Sequence, residues 1–172
     1  LLRRGSEAAQ QALTRAGRAA VCASLTLPSV VNRVADLAPT NCLMIIGFEG
    51  STELVDAQVA SAKRTLSRTD AIDAGRQPGE SWLANRYHVS FRQSEVFGSG
   101  AFSDTMEVAI TWDRVERLYA RVREATSPHA FVMAHFSHAY RTGCGVYFTF
   151  VGYRQGAGRA EALYDRVWAA AM

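Results

Sequence analysis

His135-Phe136-Ser137-His138-Ala139-Tyr140-Arg141-Thr142-Gly143-Cys144-Gly145-Val146-Tyr147-Phe148-Thr149-Phe150 is the stretch that decides the fold. Two runs rich in apolar and aromatic side chains flank a short Arg-Thr-Gly-Cys-Gly connection. Gly143 and Gly145 tolerate the positive backbone angles that a tight reversal or a bulge needs. The reading is a β-hairpin, with residues 130–140 as its first strand and residues 146–153 as its second. Period two then puts Phe136, His138 and Tyr140 on one face and His135, Ser137 and Ala139 on the other. A histidine and a tyrosine meet at a strand end in that arrangement. They are either a pair able to move a proton or two amphipathic side chains finishing a sheet.

Outward from the hairpin, the chain has 172 residues, 48% of them hydrophobic and 20% charged. That is enough for one packed domain, or for part of a larger protein, and it excludes disorder. The net charge is +3, and Lys63 is the single lysine among 19 basic residues. The arginines are scattered without a basic tract, which argues against a nucleic-acid partner. The three cysteines, Cys22, Cys42 and Cys144, show no metal spacing, and a reducing, cytoplasmic compartment is expected. No run is long enough for a membrane span, and no signal peptide opens the chain. The chain begins without methionine, so a fragment or a processed form is expected.

Residues 6–16 read as a helix capped by Ser6 and ended by Gly17. Residues 19–25 read as a short strand. A second helix opens at Thr26 and Pro28, with Val30, Val31, Val34 and Leu37 inward, and Pro39 stops it. Cys42 to Phe48 is an unbroken apolar run, which reads as a central strand covered on both faces. Gly50-Ser51 begins a helix with Val55, Val59, Ala62 and Leu66 as its core stripe. Residues 67–80 read as a loop, 81–91 as an ambiguous helix and 97–102 as a glycine-rich link. Residues 105–110 form a strand, and Thr111 caps a helix with Trp112, Val115, Leu118, Tyr119 and Val122 buried. Residues 156–171 give a last helix with Ala160, Leu163, Tyr164 and Val167 on one side. The expected class is α+β, a mainly antiparallel sheet covered by helices.

The Tyr140-x-x-Gly143-x-x-Val146-Tyr147-Phe148-x-Phe150 pattern after Ser137-His138 resembles the C-terminal (cap) domain of FAD-linked oxidases of the vanillyl-alcohol-oxidase type. Within that group it is most similar to the alkyldihydroxyacetonephosphate synthases. Leu43-Met44-Ile45-Ile46-Gly47-Phe48-Glu49-Gly50 resembles that domain's central strand and its exit. Phe91-Arg92-Gln93 resembles its substrate-side arginine segment, and residues 104–115 its strand-into-helix signature. The resemblance implies a ferredoxin-like cap domain spanning residues 1–172, part of a larger FAD-dependent enzyme whose FAD-binding domain lies outside this chain.

The activity implied is exchange of an acyl group on a dihydroxyacetone-phosphate ester for a long-chain alcohol. Tyr140 would move the proton, with His138 and Arg141 close in sequence to assist. Arg92 would grip the phosphate of a small or lipid-like substrate, with Arg86 as the neighbouring alternative, because a guanidinium offers a fork of donors and keeps its charge. Each residue also has a plain reading: Tyr140 as a strand-end aromatic, Arg92 as a surface arginine, His135 as a core or surface histidine, and Glu107 as a solvent-facing side chain on the sheet. Gly156-Ala157-Gly158 imitates a dinucleotide fingerprint, but Glu161 stands where its third glycine belongs. Two rival readings remain: an FAD-linked oxidase or dehydrogenase of a hydroxy acid or alcohol, and a non-catalytic binding or oligomerisation module. The synthases also carry a histidine run beyond their last helix, which this sequence lacks. Self-association through the Phe136, His138 and Tyr140 face is a further expectation.

Overall fold

A computed structural model describes residues 16–37, 42–87, 97–156 and 158–172. In chain order the elements are α1 (Pro28–Asp36), α2 (Thr52–Leu66), α3 (Gln77–Asn85), β1 (Ala101–Thr111), α4 (Trp112–Thr126), β2 (Phe131–Ser137), β3 (Gly143–Tyr153) and α5 (Arg159–Ala171). They fall into two units, one of residues 1–41 with 92–172 and one of residues 42–91.

The first unit is α+β. Its sheet has the order β1-β3-β2, antiparallel throughout, with β3 in the middle. Alternation explains the core. Phe102 from β1, Val132 from β2 and Val146, Phe148 and Phe150 from β3 point to one face. Val122 of α4 and Leu163 and Val167 of α5 close over them. Phe148 and Phe150 are fully buried, each contributing about 2–3 kcal/mol by removal of apolar surface from water.

The second unit has no buried residue among those described. The expected stripe of α2, Val55, Val59, Ala62 and Leu66, is its less exposed side. Ser51 caps that helix by accepting from the Leu54 amide. An apolar groove of about 500 Å³ lies between residues 42–48, α2 and the segment before α3.

Several expectations are corrected. The run Cys42–Phe48 carries no strand pairing among the described residues, and Leu43 and Met44 are 65% and 59% exposed. An uninterrupted apolar run signals the need for cover but not the partner, and the central place belongs to β3. Residues 19–24, expected as strand, are helical. Residues 77–80, expected as loop, form the first turn of α3, where Pro78 is pre-set for a helix start. The strand at 105–110 is longer at both ends and takes in Ala101 and Phe102 of the expected link. The helix at 6–16 lies outside the described residues but for Ala16.

On α1 the buried residue is Asn32; Val31 is half-buried, and Val30, Val34 and Leu37 are exposed. The Asn32 side chain is 3% exposed. Its amide nitrogen donates to the carbonyls of Pro28 and Ala130 at 2.9 Å and of Ser127 at 3.3 Å. Its oxygen accepts from the Val132 amide at 3.1 Å. Burial of a polar side chain is affordable here because donors and acceptor are all matched. Arg123 of α4 completes the latch, donating to Asp36 at 2.6 Å and to the Tyr119 hydroxyl at 2.9 Å.

The hairpin also differs in detail. β2 ends at Ser137 and β3 begins at Gly143, so the connection is residues 138–142. Gly143 and Gly145 are not in the left-handed region; His138 is, with φ 49°. Gly143 is needed for close approach instead. A Cβ there would lie 2.0 Å from the Ile110 carbonyl oxygen on β1. The left-handed turn at His138 breaks the strand alternation, so Phe136, His138 and Tyr140 do not share a strand face.

Candidate functional site

The end of the sheet where β1 passes into α4 and β2 turns into β3 gathers the chemistry-bearing residues of the hairpin. The connection is strapped to the start of α4. Tyr140 donates its backbone N–H to the Gly143 carbonyl at 2.7 Å, and its carbonyl accepts from the Trp112 indole at 2.9 Å. The Trp112 amide in turn donates to Thr142 at 3.3 Å. Trp112, expected in the core, is about half exposed and serves as this strap. With the backbone held, the Tyr140 ring projects outward, 67% exposed.

Beside it lies an open depression of about 350 Å³ lined by Thr111, Arg114, Tyr140, Thr142 and Cys144 among others. Arg114 was not foreseen. It sits in the first turn of α4, a position that sequence spacing assigns to solvent, and its only ion pair is with its neighbour Asp113 at 3.6 Å among the described residues. That pair is well exposed, so it leaves the guanidinium available. A phenol and a cation on one depression can bind an anion or steady a developing negative charge. The neighbouring Thr111 hydroxyl is the main influence that holds the exposed Asp113 carboxyl below its ordinary range.

Of the other expected residues, His138 is exposed at the end of β2. Arg92 lies outside the described residues. Arg86 caps α3 in the second unit, donates to the Leu83 carbonyl and sits 4.3 Å over the Tyr87 ring. Its guanidinium is therefore partly engaged.

A second polar cluster lies on the helix-covered face. Asp104 accepts from the Tyr164 hydroxyl at 2.7 Å, the Thr105 amide at 2.8 Å and the Trp168 indole at 3.1 Å. Burial pushes its carboxyl upward, but the three donors outweigh it and hold the group below its ordinary value. The same bond raises the Tyr164 phenol. This cluster ties β1 to α5.

The segment at 156–158 lacks the third glycine of a dinucleotide loop, with Glu161 in its place. The Arg159 amide donates to the Gly156 carbonyl at 3.2 Å, and the Ala162 amide makes the first helical bond of α5, to the Gly158 carbonyl at 3.2 Å. Among the described residues no group of acidic, histidine or cysteine side chains could hold a metal, and no helix is long and apolar enough to cross a membrane.

Comparisons with known proteins agree with this architecture. The family model described as FAD linked oxidases, C-terminal domain, matches residues 7–172. An alkyldihydroxyacetonephosphate synthase from Dictyostelium discoideum is 28% identical over 130 residues, 72% of this chain and 21% of that protein. One from Trypanosoma brucei brucei is 26% identical over 117 residues, 64% of this chain and 19% of that protein. The chain thus spans about a fifth of the length of these relatives. A solved alkyldihydroxyacetonephosphate synthase superposes with a TM-score of 0.58 at 23% identity, over 72% of this chain and 24% of that one. At that identity the superposition speaks to the fold alone. The match over nearly the whole sequence places the chain in the family of C-terminal domains of FAD-linked oxidases.

Proposed function

We propose that this chain is the substrate (cap) domain of an FAD-dependent enzyme that exchanges the acyl group of a dihydroxyacetone-phosphate ester for a long-chain alcohol. The observation that carries the reading is the family match across residues 7–172 together with two curated relatives bearing the same synthase name. In this reading FAD is held mainly by a separate domain of the complete enzyme, and this chain matches the C-terminal domain of FAD-linked oxidases. In this reading Tyr140 carries the proton, because its phenol projects freely beside the Arg114 guanidinium. His138 assists from the same connection. Arg92, or Arg86 in its place, meets the phosphate bidentately. The free cysteines Cys22, Cys42 and Cys144 fit a reducing compartment, and the cytoplasm is the proposed location.

The test is an assay of the complete FAD-bearing protein with an acyl dihydroxyacetone phosphate and a long-chain alcohol. Ether product and released fatty acid should appear together. Tyr140→Phe should retain the flavin and lose at least about a hundredfold in turnover, the usual scale of a lost acid–base group. Full turnover in that variant would remove Tyr140 from the chemistry. Absence of ether product would remove the synthase assignment.

A further inference from the structure

Tyr140 is carried by residues 138–142, a connection with no regular structure of its own. Its ring is 67% exposed, and no hydrogen bond engages its hydroxyl among the described residues. A tyrosine has only two side-chain torsions, each confined to a few wells, so the place of its hydroxyl follows the backbone beneath it. What holds that backbone therefore decides where the phenol is presented.

The connection is fastened to the end of β1 and the start of α4. The Trp112 indole N–H donates to the Tyr140 carbonyl at 2.9 Å, and the Trp112 amide donates to the Thr142 carbonyl at 3.3 Å. The Tyr140 amide donates to the Gly143 carbonyl at 2.7 Å. Gly143 pairs with Thr111 and lies so close to β1 that a Cβ on it would stand 2.9 Å from the Thr111 Cα. His138 enters the connection with φ 49°, a left-handed conformation that a non-glycine residue keeps only where its surroundings over-determine it. Trp112 supplies two of these bonds, and they differ in kind. Its amide is one of the spare donors of a helix start, which any residue but proline would offer. Its indole N–H is a donor that the side chain alone brings. The residue is 46% exposed, so packing into the core does not account for so large a side chain at this position.

We infer that Trp112 is a positioning residue for Tyr140: its indole N–H, bonded to the Tyr140 carbonyl, fixes the direction in which the Tyr140 hydroxyl is presented. The inference deepens the proposed function and rests on its assignment of the proton to Tyr140. A proton carrier must come within about 2.6–3.2 Å of the atom it serves, and a misplacement of about 1 Å can cost about a hundredfold in rate. Trp112 itself does not touch the proton. Loss of its N–H leaves an exposed carbonyl to water, which costs little stability, but it lets the connection drift. The effect thus falls on turnover and not on folding or substrate affinity.

The test uses the complete FAD-bearing protein with an acyl dihydroxyacetone phosphate and a long-chain alcohol. Trp112→Phe keeps an aromatic ring and the backbone amide and removes the indole N–H. It should lower kcat about ten- to a hundredfold, with KM and melting temperature close to the wild-type values. Hydrogen exchange at residues 139–143, followed by mass spectrometry, should quicken. In a Tyr140→Phe background, Trp112→Phe should cost no further turnover, because the group it positions is gone; a merely structural role would cost the same factor in both backgrounds. If Trp112→Phe melts early, replacement of Trp112 by benzothienylalanine, in which sulfur takes the place of the indole N–H, carries the same test. Unchanged kcat, unchanged exchange, or an equal loss in the Tyr140→Phe background would overturn the role of Trp112 and leave the proposed function standing. Full turnover in Tyr140→Phe alone would overturn the proton assignment and this inference with it.

Discussion

The two faces of the β1-β3-β2 sheet are built to opposite rules. On the helix-covered face every polar group identified has its partners: Asn32 with three carbonyls and one amide, Asp104 with three donors, Arg123 with Asp36 and Tyr119. On the other face Glu107, Tyr147 and His135 stand in a row without a partner among the described residues. A buried polar group left unmatched costs stability, so the covered face must be complete. An exposed group is already solvated and needs none. Adjacent residues of β3 thus differ in kind: Phe148 is buried in the core, and Tyr147 stands half-buried on the other face.

The largest effect that would test this division is on the covered face. Phe148→Ala should cost about 3–5 kcal/mol of unfolding free energy, read by urea titration, because it opens a cavity under α4. A loss below about 1 kcal/mol would mean that the core is not packed as described. Asn32→Leu should cost at least about 2 kcal/mol, since it leaves the Val132 amide and the surrounding carbonyls without their partner. If Asn32→Leu were instead stabilising, the latch between α1 and β2 would be in doubt.

A finer test uses acid. The Asp104 carboxyl is lowered in the folded state from the ordinary 3.8, so its contribution is present above that value and lost as pH falls through the lower folded value. The melting temperature of the wild type should therefore fall more steeply below about pH 4 than that of Asp104→Asn. Parallel acid limbs would contradict the assigned bonds. The smallest effect belongs to the outer face. Met133→Ser, at an exposed position beside the row, should change stability by no more than about 0.5 kcal/mol.

How much of this was legible in the sequence depends on which physical signal each residue gives. The hairpin, β1 and α4 were legible, because alternating and helical periodicities mark a face that is buried along its whole length. Cys42–Phe48 was misplaced because continuous apolarity registers a need for cover and says nothing of pairing. Residues 19–24 failed for a related reason: a short apolar run fits a helix or a strand equally. Asn32 was invisible, since a polar residue on a helix reads as solvent-facing until the carbonyls of Ala130 and Ser127 are placed around it. The role of Gly143 was misread because both a turn and a close approach call for glycine. Tyr140 was singled out by motif, and the structure adds Arg114 beside it. The Glu107–Tyr147–His135 row could not be read from spacing, because 107, 135 and 147 become neighbours only through the register.

The division between the two faces is tested most directly by comparing two neighbours on β3 in the complete FAD-bearing protein, Tyr147→Phe and Phe148→Leu, with melting temperature and ether formation measured on the same samples. Tyr147→Phe should keep the wild-type melting temperature, because it removes a half-buried hydroxyl that has no partner among the described residues. Phe148→Leu should melt several degrees lower while each folded molecule turns over at close to the wild-type rate. A Tyr147→Phe protein that melts as early as Phe148→Leu would contradict the account.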